Sequence, residues 1–264
     1  MRDIDDSKAP LLDHLIELRQ RLLYCVIALM LAFGVCFTFA DDIFAFLVQP
    51  LVKAKASQLI YTKLYEAFFV EIKVALFAAF LIAFPIIANQ IWLFIAPGLY
   101  RAEKRAFLPF LIATPILFAM GAALAYYVVM PTVFTFLLGF QTTEAGIPQQ
   151  ALPAMDDYLS FVMGLIFAFG FCFLLPVLLM LLARAGIVNV AQLRAFRRYA
   201  IVGAFVVAAV LTPPDVISQL LLAIPLMVLY EAGIIGIVLT DRRAARLAAS
   251  EEVVLPGDET ATVE

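Results

Sequence analysis

Charge, cysteine and histidine are all scarce in this sequence, and each scarcity excludes a class of protein. Only 15% of the 264 residues are charged and 65% are apolar, which lies far outside the usual mix of a water-soluble domain. The three cysteines form no Cys-x-x-Cys pair, and the chain has a single histidine, which argues against a disulfide framework and a zinc site. The composition therefore predicts a polytopic membrane protein.

An enzyme is the next class that the sequence disfavours. The one histidine is His14, and no nucleophile motif, metal motif or Gly-rich phosphate loop occurs in the sequence. We therefore predict no catalytic residue, no metal and no cofactor, and expect any energy to come from a partner or from the transmembrane gradient.

The net charge of -3 reflects an acidic tail. Without the five acids of that tail, the chain has 18 bases and 16 acids, so we predict no nucleic-acid partner.

Long apolar runs fill most of the chain. A spanning helix needs about 20 apolar residues to cross about 30 Å of hydrocarbon, and on this scale the sequence predicts six spans, at 22–40, 72–95, 107–130, 157–183, 199–212 and 217–239. The expected fold is all-α: residues 1–240 form one six-helix transmembrane domain, and residues 241–264 form an acidic, disordered cytoplasmic tail. The fifth span covers only about 20 Å, so either the membrane beside it is thinned or neighbouring helices shield its ends.

Prolines mark the expected bends. Pro85, Pro115, Pro176 and Pro225 lie near the middle of predicted spans, where each removes a backbone hydrogen bond and can kink its helix. The expected bundle is therefore kinked and has a concave face. Pro131 is predicted to end the third span, because a proline inside a helix removes a donor.

The bases indicate how the spans are oriented. With the N-terminus inside, 14 of the 18 Lys and Arg residues lie in inside segments, and the positive-inside rule then places both termini in the cytoplasm. The outside segment 41–71 has the mixed charge and aromatic content of amphipathic helices on the outer surface. The outside segment 131–157 contains glycines and prolines and is predicted to form a structured cap with turns.

The segment from His14 to Arg21 has apolar residues at helical spacing and charged residues on its other faces. This pattern predicts an amphipathic cytoplasmic helix where the cytoplasm meets the membrane. Glu17 has two interpretations: it pairs with Arg21 on a wet helix face, a contact worth about 0.3 kcal/mol, or it binds a ligand. The residues alone leave both interpretations open.

Four separated segments carry a family resemblance. They are HLIELRQRLL from His14, WLFIAPGLYRAEKR from Trp92, YLSFVMGLIFAFG from Tyr158 and GAFVVAAVLTPPDVISQLLLAIP from Gly203. In this order they resemble the TatC subunit family of the twin-arginine protein translocase. The resemblance implies a receptor and core subunit, in the bacterial inner membrane, of a complex that exports folded proteins bearing Arg-Arg signal peptides.

The resemblance also implies a binding site for the arginine pair of the signal. Its two acids map onto Glu17 in HLIELR and Glu103 in LYRAEKR. Two fixed carboxylates suit planar guanidinium groups, which donate paired hydrogen bonds that an ammonium group does not match. Phe94, Pro97 and Arg19 are expected to support the site. Without the resemblance, Glu103 would be an ordinary solvated acid in a loop.

The implied partners are twin-arginine signal peptides, the single-span subunits TatB and TatA, further copies of this chain and the lipid bilayer. Contacts with the partner helices are expected near the turn between the last two spans, from Thr212, Asp215 and Gln219. Asp215 is also placed to cap the last helix. Many family members carry a polar residue midway along the fourth span, where this sequence has Leu174, so a polar docking point is lost there.

Glu231 is the main ionisable residue inside the final span. Intramembrane acids are costly and are usually paired or functional. A proton-linked role is one interpretation of Glu231, and a neutral carboxyl hydrogen-bonded to a neighbour is the favoured one.

The alternative function for the whole protein is a secondary transporter of a small solute. Such a transporter would have repeated halves and paired polar groups at the midplane, whereas the midplane of this chain is almost wholly apolar.

Overall fold

The protein is all-helical in the computed structural model, which describes residues 9–54, 58–99, 108–139, 152–212 and 216–252. The all-α prediction is confirmed. A single isolated parallel bridge, between Ile60 and Ala154, is the one β contact of the described ranges. The helices in chain order are α1 (Ala9–Thr38), α2 (Ala40–Lys53), α3 (Glu66–Leu99), α4 (Leu108–Leu124), α5 (Met130–Leu138), α6 (Met155–Cys172), α7 (Leu175–Arg184), α8 (Val190–Ala195), α9 (Arg197–Leu211) and α10 (Val216–Glu252).

Five helical stretches of the described chain are long and apolar enough to cross a membrane. They match five of the six predicted spans and comprise His14–Thr38, Glu66–Phe94, Phe110–Leu138, Met155–Arg184 and Val216–Arg242. The remaining predicted span is α9, whose 15 residues extend about 22 Å, short of a hydrocarbon core of about 30 Å. The chain is thus a multi-pass membrane protein, and a sixth crossing through α9 stays a prediction.

The first helix differs from its prediction. The sequence predicts a separate amphipathic helix before the first span, but α1 is one continuous helix of 30 residues. No glycine or proline occurs between Leu11 and Phe33, so nothing separates the charged segment from the apolar run. At about 45 Å, α1 is longer than the hydrocarbon core is thick, and its charged first turns extend beyond that core.

The third span also differs, because Pro131 does not end it. A π-helical turn, Ala125–Val129, leads into α5, which continues to Leu138. The Met130 N–H donates to the Ala125 carbonyl five residues back, so the wide turn interrupts the α-helical pattern just before the proline. Pro131 therefore lies in the first turn of a new helix, where a missing N–H costs no intrahelical bond.

Of the four prolines expected to bend spans, Pro176 accompanies a break. The fourth span is divided into α6 and α7, with Pro176 in the first turn of α7. The helices that contain Pro85, Pro115 and Pro225 continue past them.

The final helix continues to Glu252. Hydropathy places the end of the membrane domain at residue 240, so the helix extends beyond that predicted boundary and residues 241–252 are helical.

Helix α2 lies in the segment that is predicted to be outside, and it is tied to the bundle by two tyrosines. Pro50 lies inside α2 and has no N–H for the carbonyl of Phe46. The Tyr126 hydroxyl donates to that carbonyl at 2.6 Å, and the Tyr158 hydroxyl donates to the Leu47 carbonyl at 2.8 Å. The phenols satisfy backbone oxygens beside the proline and fix α2 against the π-helical turn and α6.

A buried carboxylate joins the same end of the bundle, which we call the α2 end. Glu66 is only 4% exposed. Its Oε2 accepts hydrogen bonds from the N–H (2.6 Å) and hydroxyl (2.8 Å) of Thr62 and from the Lys63 N–H (3.0 Å), and its Oε1 accepts from the Asp156 N–H at 3.0 Å. Lys73 pairs with the Asp156 side chain nearby. Glu66 thereby fastens the segment before α3 to the start of α6.

Candidate functional site

The charged first turns of α1 lie against the last turns of α3, at the end of the bundle opposite α2. The His14 ring stacks on the Phe94 ring with centroids 4.3 Å apart and an interplanar angle of 18°. Further along α1, and one turn before Phe94 on α3, the Arg21 Nη1 donates to the Gln90 Oε1 at 3.4 Å. The N-terminal motif on α1 therefore lies against the last turns of α3.

Glu17 is held by Arg21, as the i,i+4 interpretation predicts. The Arg21 Nε donates to the Glu17 Oε1 at 2.9 Å, and the Arg21 Nη2 donates to the same oxygen. The Glu17 side chain is 35% exposed and the Arg21 side chain 21% exposed. The carboxylate is thus the more open partner of a pair whose type is worth about 0.3–0.5 kcal/mol on a wet helix. A pair this weak leaves Glu17 able to exchange partners.

Gln90 is a member of this site that the sequence analysis did not identify. It is half-buried on α3, and its contact with Arg21 joins positions 69 residues apart. The available signal was the adjacent amides Asn89 and Gln90 inside the mostly apolar second span, where polar side chains need partners. Hydrophobic periodicity alone does not identify that partner.

The structure describes some of the other predicted members of this site and not others. Arg19 is exposed on α1, and Phe94 is half-buried beneath His14. Pro97 lies in the last turns of α3, where only the backbone is described. Glu103 lies outside the described residues. Phe94 therefore contacts His14, three residues before Glu17 on α1. The roles of these residues in one site, and the pairing of Glu17 with Glu103, stay predictions.

The predicted partner contacts lie around the α9–α10 turn. Thr212 is 7% exposed, and its hydroxyl donates to the Ala208 carbonyl at 2.8 Å, within its own helix. Gln219 is half-buried, and its Nε2 donates to the Phe205 carbonyl of α9 at 3.2 Å. Asp215 lies outside the described residues. Gln219 is thus the more accessible of the two described candidates.

Glu231 forms an ion pair. The Arg197 Nη2 donates to its Oε2 at 2.7 Å, and the two side chains are 48% (Arg197) and 43% (Glu231) exposed. Glu231 therefore has a hydrogen-bonding partner, and that partner is a guanidinium on α9. The neighbouring Tyr230 hydroxyl donates to the Leu193 carbonyl at 2.8 Å, so both residues fix α10 to the α8–α9 region.

Leu174 lies at the break between α6 and α7 and lines an apolar groove of about 200 Å³. The Trp92 indole N–H in the groove wall donates to the Thr114 hydroxyl at 2.8 Å, which satisfies both polar groups internally. The leucine thus continues the apolar lining of this groove. Within the described ranges, no group of three or more His, Cys, Asp or Glu residues is placed to hold a metal ion.

Comparisons with known proteins agree on one family. The model of the family described as Sec-independent protein translocase protein (TatC) matches residues 13–225. A TatC protein of Magnetococcus marinus is 49% identical over 255 residues, covering 96% of this chain and 93% of that protein. The TatC protein of Escherichia coli K12 is 44% identical over 233 residues, covering 88% of each chain.

A solved structure agrees with the sequence comparisons. A crystal structure described as the twin arginine translocase receptor TatC is 43% identical to this chain, with a TM-score of 0.72, and the match covers 84% of this chain and 96% of the other. A second crystal structure of such a receptor, in DDM, has a TM-score of 0.73 at 42% identity. The match thus extends from motifs to the arrangement of the helices. The chain belongs to the TatC family of Sec-independent protein translocase proteins.

Proposed function

We propose that this protein is a receptor and core subunit of a twin-arginine translocase in the bacterial inner membrane, where it binds the Arg-Arg signal peptides of folded proteins for gradient-driven export. The observation that carries the proposal is the half-exposed Glu17 carboxylate, held by the α1–α3 contact at a charged end of the bundle. Solved structures with the same arrangement of helices are described as twin arginine translocase receptors.

The chemistry of the site favours arginine over lysine. A guanidinium group is planar and always charged, and its donors match a carboxylate in pairs, whereas an ammonium group acts as a compact point charge. Glu17 already accepts two donors from one guanidinium, that of Arg21. A second carboxylate from Glu103 would then serve the second arginine of the signal.

The proposed topology has six crossings with both termini in the cytoplasm and a concave, kinked bundle. In this arrangement α9 is the short crossing, and the membrane beside it is thinned or α9 is shielded by its neighbours. The break between α6 and α7 at Pro176 supports a bent bundle. The excess of bases in the inside segments supports the orientation.

Photocrosslinking in membranes tests the proposed function. A synthetic signal peptide with an Arg-Arg pair and a photoreactive group is expected to label the protein, and the matched Lys-Lys peptide is expected to label it at least about tenfold less, since hydrogen bonds to charged groups are worth about 1.5–3 kcal/mol. Equal labelling by both peptides would reject a twin-arginine receptor.

The proposed partner contact makes a separate prediction. Replacing Gln219 with Leu removes the one described side-chain amide at the α9–α10 junction, and we expect crosslinking to a single-span partner helix to fall about threefold to tenfold, because a hydrogen bond between membrane helices is worth about 0.6–2 kcal/mol. Thr240→Val is the matched control, since that hydroxyl donates to the Gly236 carbonyl within α10, away from the α9–α10 junction. Unchanged crosslinking in Gln219→Leu would count against this contact.

A further inference from the structure

Arg21 presents to Glu17 the same chemical group that the proposed ligand carries. Its Nε and Nη2 both donate to the Glu17 Oε1, while its Nη1 reaches the Gln90 Oε1 at 3.4 Å. The guanidinium is therefore shared between a strong acceptor on its own helix and a weaker, neutral acceptor on α3. This arrangement gives Arg21 a second acceptor if it loses the first.

We propose that Arg21 is a displaceable occupant of the Glu17 carboxylate, which an incoming guanidinium replaces while Gln90 retains the released Arg21. This inference rests on the proposed function, because it concerns the same site and the same signal peptide. It adds to that function two residues, Arg21 and Gln90, that set how strongly a ligand must bind before the site opens.

The energetics follow from the exchange of like for like. One charge-assisted pair is broken and another of the same kind is formed. The affinity of the site for the peptide is therefore its intrinsic affinity multiplied by the fraction of time that Glu17 is free of Arg21. An i,i+4 pair is weak enough to be replaced. In the unliganded protein Arg21 also neutralises the charge of Glu17, so the carboxylate attracts other cations less strongly.

Gln90 makes the exchange reversible. An amide oxygen accepts less strongly than a carboxylate, so Arg21 rests on Glu17 and moves towards Gln90 only when a ligand takes its place. The 3.4 Å contact is long for a hydrogen bond, which leaves room for it to shorten in the liganded state. The difference in exposure, 35% for Glu17 against 21% for Arg21, leaves the carboxylate open to a ligand and keeps Arg21 against α3.

The test measures the affinity of a fluorescent Arg-Arg peptide for the purified protein in nanodiscs. Arg21→Gln is expected to bind about twofold to fivefold more tightly than the natural protein, because the occupant is gone. Gln90→Leu is expected to bind about twofold to fivefold more weakly, because the displaced Arg21 loses its acceptor. In the double variant the effect of Gln90→Leu should disappear, since Gln90 acts through Arg21.

Controls separate displacement from charge and from misfolding. Arg242→Gln removes one exposed base from α10 and measures the effect of net charge alone, which should be smaller than that of Arg21→Gln. Arg21→Lys keeps the charge but lacks the paired donors, so it should also tighten binding, and it carries the test if Arg21→Gln does not give folded protein.

The outcomes distinguish this inference from the proposed function. If the natural protein binds Arg-Arg and Lys-Lys peptides equally, or Glu17→Ala binds as tightly as the natural protein, the proposed function fails. If the natural protein prefers the Arg-Arg peptide and Glu17→Ala weakens binding, but Arg21→Gln or Arg21→Lys weakens binding or leaves it unchanged, Arg21 is only a structural support and the inference alone is overturned. Variants of Arg21 and Gln90 that shift the affinity in the same direction would overturn it as well.

Discussion

Replacing Glu17 or Glu103 with Ala is expected to lower capture of an Arg-Arg signal peptide at least about tenfold, since each carboxylate would lose charge-assisted hydrogen bonds worth about 1.5–3 kcal/mol. In Glu17→Ala the loss has a second cause, because Arg21 would be left as an uncompensated positive charge beside the site. The measurement is the yield of photocrosslinking in membranes, normalised to the amount of folded protein.

Two controls sharpen this prediction. Glu17→Gln keeps the shape of the side chain but removes its charge, so it should also lose capture. Asp42→Ala removes an exposed acid on α2, at the opposite end of the bundle, and should leave capture unchanged. Undiminished crosslinking in both Glu17→Ala and Glu103→Ala would reject the assignment of these two acids.

Replacing Glu66 with Gln is expected to loosen the α2 end of the bundle. Both oxygens of this buried carboxylate act as acceptors, Oε2 for Thr62 and Lys63 and Oε1 for the Asp156 N–H. An amide supplies one oxygen and one NH₂, so in either orientation a donor faces a backbone N–H and a buried group is left unsatisfied. The midpoint of thermal unfolding of the purified protein in nanodiscs should therefore fall.

The matched control is Lys73→Gln, which removes an exposed ion pair from the same region. Exposed pairs are worth about 0–1 kcal/mol, so this control should lower the midpoint by less than about 3 °C. We expect a drop at least twice as large for Glu66→Gln. Equal midpoints for the two variants would show that the Glu66 network contributes no more than a surface contact.

Sequence patterns predicted the parts of this protein that depend on local composition. Runs of about 20 apolar residues predict spanning helices because the bilayer sets that length, and five such helices are present. The N-terminal motif and the end of the second span do lie against each other, through the His14–Phe94 and Arg21–Gln90 contacts, whereas their role as one binding site stays a prediction.

Contacts between distant residues were not predictable in the same way. The Arg21–Gln90 and Glu66–Asp156 contacts join positions 69 and 90 residues apart, and periodicity along one helix carries no information about its neighbour. Pro131 illustrates a second limit: the rule against proline in helices was correct locally, but a π-helical turn placed the residue at the start of a new helix. Glu231 shows a third, because its partner, Arg197, is a residue of another helix.

The most direct measurement is a high-resolution structure of the protein with a bound Arg-Arg signal peptide in a lipid bilayer. We predict that the carboxylates of Glu17 and Glu103 lie on the same side of the membrane and that each accepts hydrogen bonds of about 2.7–2.9 Å from a guanidinium group of the peptide. A peptide bound elsewhere, or two carboxylates on opposite faces of the bilayer, would contradict the account.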